Sequence, residues 1–128
     1  MGRPTALVVE DEWLLLDVME AELTEEGFDV ITATSGREAL SKLEVGAWEI
    51  SCLLTDIRLG NGANGWKVAE RARELNSEVP VIYMTGDSHA QWQANGVARS
   101  ILLSKPFALS QLTAAVSELV KTTRATAT

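Results

Sequence analysis

The heptapeptide Ile50-Ser-Cys-Leu-Leu-Thr-Asp56 decides the fold of this chain. Its run Ile50–Thr55 is apolar almost throughout and lacks the alternation of polar and apolar residues that a half-exposed strand shows. Such a run is typical of a strand in the middle of a parallel sheet that is covered on both faces. Because the stretch ends in an aspartate, we expect a carboxylate at the carboxyl edge of that sheet.

Four further β-rich runs lie on either side of this strand in the sequence. They are Thr5–Val9, Phe28–Ala33, Val79–Met84 and Ser100–Leu103. A stretch with the helical spacing of apolar residues follows each of the five runs. Five strands that alternate with five helices predict an α/β fold with a doubly wound parallel sheet.

The helical stretches carry signals of their own. The first predicts a buried face made by Leu15, Val18, Met19 and Leu23. The second begins with Ser35-Gly-Arg-Glu38, which has the spacing of a capping box. The fourth is expected from about Asp87 to Asn95, and the fifth keeps an apolar face up to Val120 and then frays.

The composition limits the class of protein. The chain has 128 residues, 46% of them apolar, which predicts one domain with a core at about 5–121 and a disordered tail at 122–128. Its net charge is −7, with 13 acids against 4 bases in residues 1–64. An acidic chain of this kind is not expected to bind nucleic acid or a membrane surface. Cys52 is the single cysteine and permits no internal disulfide, so a soluble cytoplasmic protein is predicted.

Polar side chains collect where the predicted strands end. Glu10-Asp-Glu12 follows the first strand, Asp56 the third, Thr85-Gly-Asp87 the fourth and Lys105 the fifth. Because ligands of open α/β sheets bind at the carboxyl ends of the strands, these groups are expected to share one site. Clustered carboxylates need positive charge among them, from Lys105 and from a hard cation such as Mg²⁺ or Mn²⁺. The site suits a phosphoryl group, with Asp56 as the candidate nucleophile.

These residues also have purely structural interpretations. Asp11 could cap the first helix, and Lys105 could be an ordinary loop residue. The functional interpretation depends on four strand ends carrying complementary groups together.

Four short segments carry a resemblance to a known family. They are Leu7-Val-Val-Glu-Asp-Glu12, Leu53-Leu-Thr-Asp-Ile57, Val81-Ile-Tyr-Met-Thr-Gly86 and Leu103-Ser-Lys-Pro-Phe107. In this order and spacing, the chain resembles a response-regulator receiver domain of two-component signalling from about Thr5 to Lys121. The resemblance implies a flavodoxin-like three-layer sandwich with strand order 2-1-3-4-5.

The resemblance also implies a role for each strand-end residue. The domain is expected to be a phosphoacceptor switch rather than an enzyme, with Mg²⁺-dependent transfer from a phosphohistidine donor to Asp56. Lys105 and Thr85 would contact the phosphoryl group, and a movement of Thr85 would carry the signal. The residues expected around that group are Gly86, Arg58 and Asp87. The implied metal ligands are Asp11, Asp56, the backbone carbonyl of Arg58 and, through water, Glu10. The Lys105–Pro106 bond is expected to be cis.

The implied partners are a histidine kinase or a histidine phosphotransfer protein, and a downstream protein that reads the switch. Trp13 and Leu14 form an apolar cluster beside the acids, and Pro106 and Phe107 are expected nearby. We interpret these four residues as a candidate docking surface. Trp13 could instead fold over its own helix.

Three features depart from the usual receiver pattern. The first acid is Glu10 rather than aspartate, and the loop after Asp56 carries Gly60 and Gly62 where the family usually has a proline. Leu102 occupies the position of the aromatic residue that usually takes part in switching. Coupling of Thr85 to a rotating ring at that position is therefore not expected.

Two rival functions use similar groups. An aspartate-nucleophile phosphohydrolase generally needs a second acid two residues after the nucleophile, where Arg58 stands. A flavin-binding module would need a hydroxyl-rich loop after the first strand, where Glu10-Asp-Glu12 stands. Gly60-Asn-Gly-Ala-Asn-Gly65 has the spacing of a dinucleotide fingerprint, but it does not directly follow a strand as that motif requires.

Overall fold

The computed structural model describes residues 2–60, 62–86, 92 and 95–127, with side chains described up to Val120. Five strands and four helices lie within these residues. The elements are β1 (Thr5–Val9), α1 (Trp13–Glu25), β2 (Asp29–Ala33), α2 (Gly36–Gly46), β3 (Cys52–Asp56), α3 (Gly65–Leu75), β4 (Val81–Thr85), β5 (Ser100–Ser104) and α4 (Leu109–Ala127). A short 3₁₀ helix, Ala47–Glu49, precedes β3.

The five strands form one parallel sheet in the order β2-β1-β3-β4-β5. This confirms both the predicted α/β class and the predicted strand order. Leu54 in β3 lies between Val8 in β1 and Ile82 in β4, and all five residues of β3 are buried. The apolar run that ends in Asp56 is therefore the central strand of the sheet.

Helices cover both faces of the sheet. On one face, α2 and α3 bury Ala39, Leu43, Val68, Ala69 and Ala72 against the strands. On the other face, α1 and α4 bury Leu16, Met19, Leu23, Leu112 and Val116. Burial of this much apolar surface is the main stabilising contribution to the fold, and it holds the carboxyl ends of the strands in register.

The predicted capping box begins α2. Ser35 Oγ accepts a 3.1 Å hydrogen bond from the Glu38 backbone N–H. Glu38 Oε1 in turn accepts a 2.7 Å bond from the Thr34 N–H, one residue before the N-cap. Both bonds satisfy backbone donors at the start of the helix.

Several predicted boundaries and faces differ from the structure. The strands predicted at Phe28, Ile50 and Val79 begin one or two residues later, because the apolar residues before them bury their side chains outside the hydrogen-bonded ladder. In α1, Val18 is 46% exposed and Leu16 is buried instead, because Leu16 falls on the same stripe as Met19 and Leu23.

Two further predictions concern the last helix and the segment after β4. The backbone of α4 continues to Ala127, into the stretch 122–128 where a disordered tail is predicted. Alanine is a strong helix former, and backbone hydrogen bonds extend a helix without an apolar face. The helix predicted from Asp87 to Asn95 falls mostly outside the described residues.

Candidate functional site

Lys105 joins two acids at the carboxyl edge of the sheet. Its Nζ donates a 2.7 Å hydrogen bond to Glu10 Oε1 and a 3.2 Å bond to Asp56 Oδ2. Glu10 follows β1, Asp56 ends β3 and Lys105 follows β5. The sheet thus brings together three of the groups that the strand ends predict, and Lys105 is not an ordinary loop residue.

Glu10 is the most deeply buried acid of the site, with no solvent exposure. Its Oε2 accepts a 3.1 Å hydrogen bond from the Glu12 backbone N–H, so both of its oxygens have partners. Burial raises the pKa of the Glu10 carboxyl to about 7, against the opposing effect of its hydrogen bonds to Lys105 and Glu12. Burial lowers the pKa of Lys105, but Glu10 and Asp56 outweigh it and hold that pKa above its ordinary value.

Asp11 completes an acidic cluster with Glu10 and Asp56. One carboxylate oxygen from each residue lies within 4.8 Å of the other two. Asp11 is exposed, whereas Asp56 is only 8% exposed. The residue that caps α1 is Glu12, without a side-chain hydrogen bond, so Asp11 does not have the capping role considered for it. Three carboxylates at this spacing are a ligand set that Mg²⁺ or Mn²⁺ fits.

Gly65 packs closely against the backbone of Asp56, and the sequence did not predict this residue as part of the site. Gly65 begins α3, and a Cβ added there would lie 2.2 Å from the Asp56 carbonyl oxygen. The same carbonyl accepts a 2.9 Å hydrogen bond from Thr55 Oγ1. The only signal in the sequence is the glycine at the start of a helical stretch, since the contact depends on how α3 packs on the sheet.

Thr85 and Gly86, two of the residues expected near a phosphoryl group, lie at the end of β4 and directly after it. Thr85 ends β4, is 4% exposed and follows Met84, the register partner of Asp56. Its carbonyl accepts a 2.7 Å hydrogen bond from the Lys105 backbone N–H. Gly86 is exposed, and a Cβ added there would meet nothing within 4 Å.

Arg58 and Asp87 are the other two residues that are predicted to lie near the phosphoryl group. Arg58 is exposed and lies two residues after Asp56. Asp87 lies outside the described residues, so its place in the site stays a prediction.

The candidate docking residues differ in exposure. Trp13 and Leu14 begin α1 and are 64% and 61% exposed. This exposure favours the docking interpretation over the alternative in which Trp13 folds over its own helix. Pro106 is exposed and joined to Lys105 by a cis peptide bond, as expected, whereas Phe107 packs partly into the core beside α1 and α4.

Comparison with known proteins gives consistent matches. A sequence model described as "Response regulator receiver domain" matches residues 6–117. A solved response regulator receiver protein from Sinorhizobium medicae is 40% identical, with a TM-score of 0.90 over 94% of this chain and 97% of that one. The receiver domain of the hybrid histidine kinase CckA is 27% identical, with a TM-score of 0.78 over 91% of this chain and 98% of that one.

The curated relatives are longer proteins. The transcriptional regulatory protein DltR of Streptococcus agalactiae is 31% identical over 86% of this chain and 49% of its own length. The uncharacterized transcriptional regulatory protein YkoG of Bacillus subtilis is 31% identical over 91% of this chain and 50% of its own length. The chain therefore spans about half the length of these relatives.

A 2-1-3-4-5 parallel sheet with three acids and a lysine at its carboxyl edge defines a class of phosphoacceptor signalling domains. The chain belongs to the family of response regulator receiver domains of two-component systems. No helix in the described part of the chain has the length and apolar character needed to cross a membrane.

Proposed function

We propose that the domain accepts a phosphoryl group from a phosphohistidine donor on the carboxylate of Asp56. One observation carries this proposal: Asp56 Oδ2 lies 3.2 Å from Lys105 Nζ, beside two further acids, at the carboxyl end of the central strand. The aspartate is 8% exposed, which leaves its carboxylate at the surface of the site while its backbone is held in the sheet.

The phosphoryl transfer needs no reactant other than the phosphohistidine donor and Asp56. An Asp56 oxygen attacks phosphorus, the phosphorus–nitrogen bond of the donor breaks, and its electron pair stays on the imidazole. Lys105 offsets negative charge on the phosphoryl oxygens, and Thr85 donates a hydrogen bond to one of them. The product is an acyl phosphate on the domain itself, so the domain acts as a stoichiometric acceptor rather than as an enzyme with turnover.

Mg²⁺ or Mn²⁺ fits the donor set of the site. Asp11, Asp56 and the backbone carbonyl of Arg58 would hold the ion, with Glu10 acting through water. When bound, the cation supplies positive charge that offsets the charge of the carboxylates and of the phosphoryl oxygens. Glu10 contributes in a second way, because it holds the Lys105 ammonium beside Asp56.

The donor would be a histidine kinase or a histidine phosphotransfer protein, and a downstream protein would read the phosphorylated state. The exposed rings and side chains of Trp13, Leu14 and Pro106 support a docking surface next to the acids, with Phe107 packed beneath. Apolar side chains exposed at such a place are typical of protein interfaces.

A phosphohydrolase is not favoured by the residues present. Its general acid would stand two residues after the nucleophile, and that position is the exposed side chain of Arg58. Guanidinium groups stay protonated at neutral pH and do not exchange a proton with a leaving group.

Labelling with acetyl phosphate in the presence of Mg²⁺ tests the proposal. We expect stoichiometric phosphorylation of the wild-type domain and none of Asp56→Ala, measured by intact mass. Asp17→Ala, which removes an exposed acid of α1, is the matched control and should be labelled as the wild type is. Undiminished labelling of Asp56→Ala would overturn the assignment of the phosphoacceptor.

A further inference from the structure

Tyr83 lies behind the phosphoacceptor site, in the middle of β4. It has no solvent exposure and precedes Thr85 by two residues. Residues two apart on a strand point to the same face of the sheet, so the ring and the Thr85 side chain lie on one face of β4. The chain has no other tyrosine.

The Tyr83 ring contacts α3, the helix that follows Asp56 in the sequence. Its centroid lies 4.8 Å from that of Trp66, with the ring planes tilted by 56°. Trp66 is the second residue of α3, directly after Gly65, which packs against the Asp56 carbonyl. Tilted aromatic pairs at this distance are attractive beyond their buried area. The ring is thus held between β4 and the start of α3.

The Tyr83 hydroxyl makes a hydrogen bond to the segment that precedes β5. It accepts a 3.1 Å bond from the Val97 backbone N–H. The Val97 carbonyl accepts a 2.7 Å bond from Ser100 Oγ, which accepts a 3.0 Å bond from the Trp92 indole N–H. A chain of hydrogen bonds therefore runs from the middle of β4 through residues 97–100 to Trp92.

We propose that the hydrogen bond between the Tyr83 hydroxyl and the Val97 N–H, which we call the Tyr83 latch, transmits the phosphorylation state of Asp56 to residues 97–100. This inference rests on the proposed function, since it requires that Thr85 responds to the phosphoryl group. The segment 97–100 is then the part of the surface whose conformation a downstream partner reads.

The packing around the strand end supports this role. Thr85 and Lys105 are joined by a 2.7 Å backbone hydrogen bond, which links the end of β4 to the residue after β5. When Thr85 moves towards a phosphoryl oxygen, the residues just before it in β4 are displaced as well, because close-packed cores transmit displacement. Leu102, the β5 partner of Tyr83, has neither a ring nor a hydroxyl. Tyr83, on the neighbouring strand β4, has both an aromatic ring and a hydroxyl.

Amide NMR on the Tyr83→Phe variant tests the latch, because phenylalanine keeps the ring and removes only the hydroxyl. In the resting domain, we expect hydrogen exchange at the Val97 amide to be about fivefold faster in the variant. With Mg²⁺ and fluoroberyllate, a mimic of a phosphoryl group on a carboxylate, the Val97 amide should respond in the wild type and not in the variant. The Gly86 amide, at the site itself, should respond in both.

Ser100→Ala is the matched control. It removes the next link of the chain and leaves the latch in place, so Val97 should still respond to fluoroberyllate while the Trp92 indole signal no longer does. An equal response of Val97 in the wild type and Tyr83→Phe would overturn the inference, as would a silent Val97 in a wild-type domain that binds fluoroberyllate. A wild-type domain that does not bind fluoroberyllate at all contradicts the proposed function and this inference with it.

Discussion

Lys105 Nζ lies closer to Glu10 than to Asp56, at 2.7 Å from Glu10 Oε1 against 3.2 Å from Asp56 Oδ2. The lysine side chain is 24% exposed, and the Glu10 side chain is 1% exposed. Glu10 therefore holds the Lys105 ammonium group beside Asp56. A buried acid of this kind is costly once its partner is removed.

Lys105→Ala should destabilise the metal-free domain because it leaves Glu10 without its ionic partner. We expect a loss of about 2–4 kcal/mol in the free energy of unfolding, measured by urea at pH 7.5 with EDTA present. Lys67→Ala, at an exposed position of α3, is the control and should change stability by less than about 0.5 kcal/mol. Equal stability of the two variants would contradict the structural role of the ion pair.

Gly65→Ala should disturb the fold and the site together. The new Cβ would lie 2.2 Å from the Asp56 carbonyl oxygen and 2.9 Å from the Ile57 Cα, and neither backbone atom can rotate away. We expect destabilisation of about 1–3 kcal/mol in urea unfolding, and slower phosphorylation of the folded variant.

Gly46→Ala is the control for that substitution, since a Cβ at Gly46 meets nothing within 4 Å. It should leave both stability and labelling close to those of the wild type. If Gly65→Ala unfolds at the same urea concentration as Gly46→Ala, the close packing of α3 on Asp56 is not present in solution.

Cys52 should be inert in the folded domain. It is fully buried in β3, and burial raises the pKa of its thiol to about 12. Reaction with a thiol reagent at pH 8 should therefore be on the order of 1,000-fold slower than in the denatured protein, because it requires unfolding. Complete reaction of the native domain within minutes would contradict the burial, and Cys52→Ala gives the reagent blank.

Tyr83 should titrate at higher pH in the folded domain than in the unfolded one. Burial raises the pKa of its phenol, although the hydrogen bond from Val97 and the charge of Arg73 oppose the shift. Because the neutral form is favoured in the folded state, the stability it contributes is fully present below the unfolded pKa of about 10 and is lost as the pH rises through the folded pKa. Absorbance at about 295 nm follows this single tyrosine directly, and coincident native and denatured titrations would rule out the shift.

Trp13→Ala should slow phosphoryl transfer from a protein donor without slowing phosphorylation by a small molecule. We expect at least a tenfold slower transfer from a phosphohistidine protein, because the exposed indole would be an interface residue. Labelling by acetyl phosphate, which needs no docking surface, should be unchanged. Trp48→Ala, which removes an even more exposed indole from the 3₁₀ helix before β3, is the control. Equal slowing by both phosphoryl donors would contradict the docking role.

The parts of the fold that depend on local pattern are predictable from the sequence. The bounds of β1 and the capping box of α2 are as predicted, because apolar runs and cap residues act over a few positions. The assembly of Glu10, Asp56 and Lys105 also follows, since parallel strands end at one edge of a sheet.

Contacts made by helices packing on the sheet could not be predicted in the same way. The approach of Gly65 to Asp56 and the ring pair of Trp66 and Tyr83 depend on the position of α3, which no local pattern encodes. The exposure of Val18 was missed for a related reason. A stripe of apolar residues on a helix is compatible with two neighbouring faces, and only the packing selects one.

The hydrogen bond between Glu10 and Lys105 spans 95 positions of the chain. During synthesis Glu10 and Asp56 leave the ribosome before Lys105. Lys105 is made only after all five strands, because it directly follows β5. A nascent chain that lacks β5 and the residues after it therefore carries Glu10 and Asp56 without the Lys105 ammonium group that contacts both in the folded domain. Under the proposed function, the domain can therefore accept a phosphoryl group only after β5 has been made and has paired with β4.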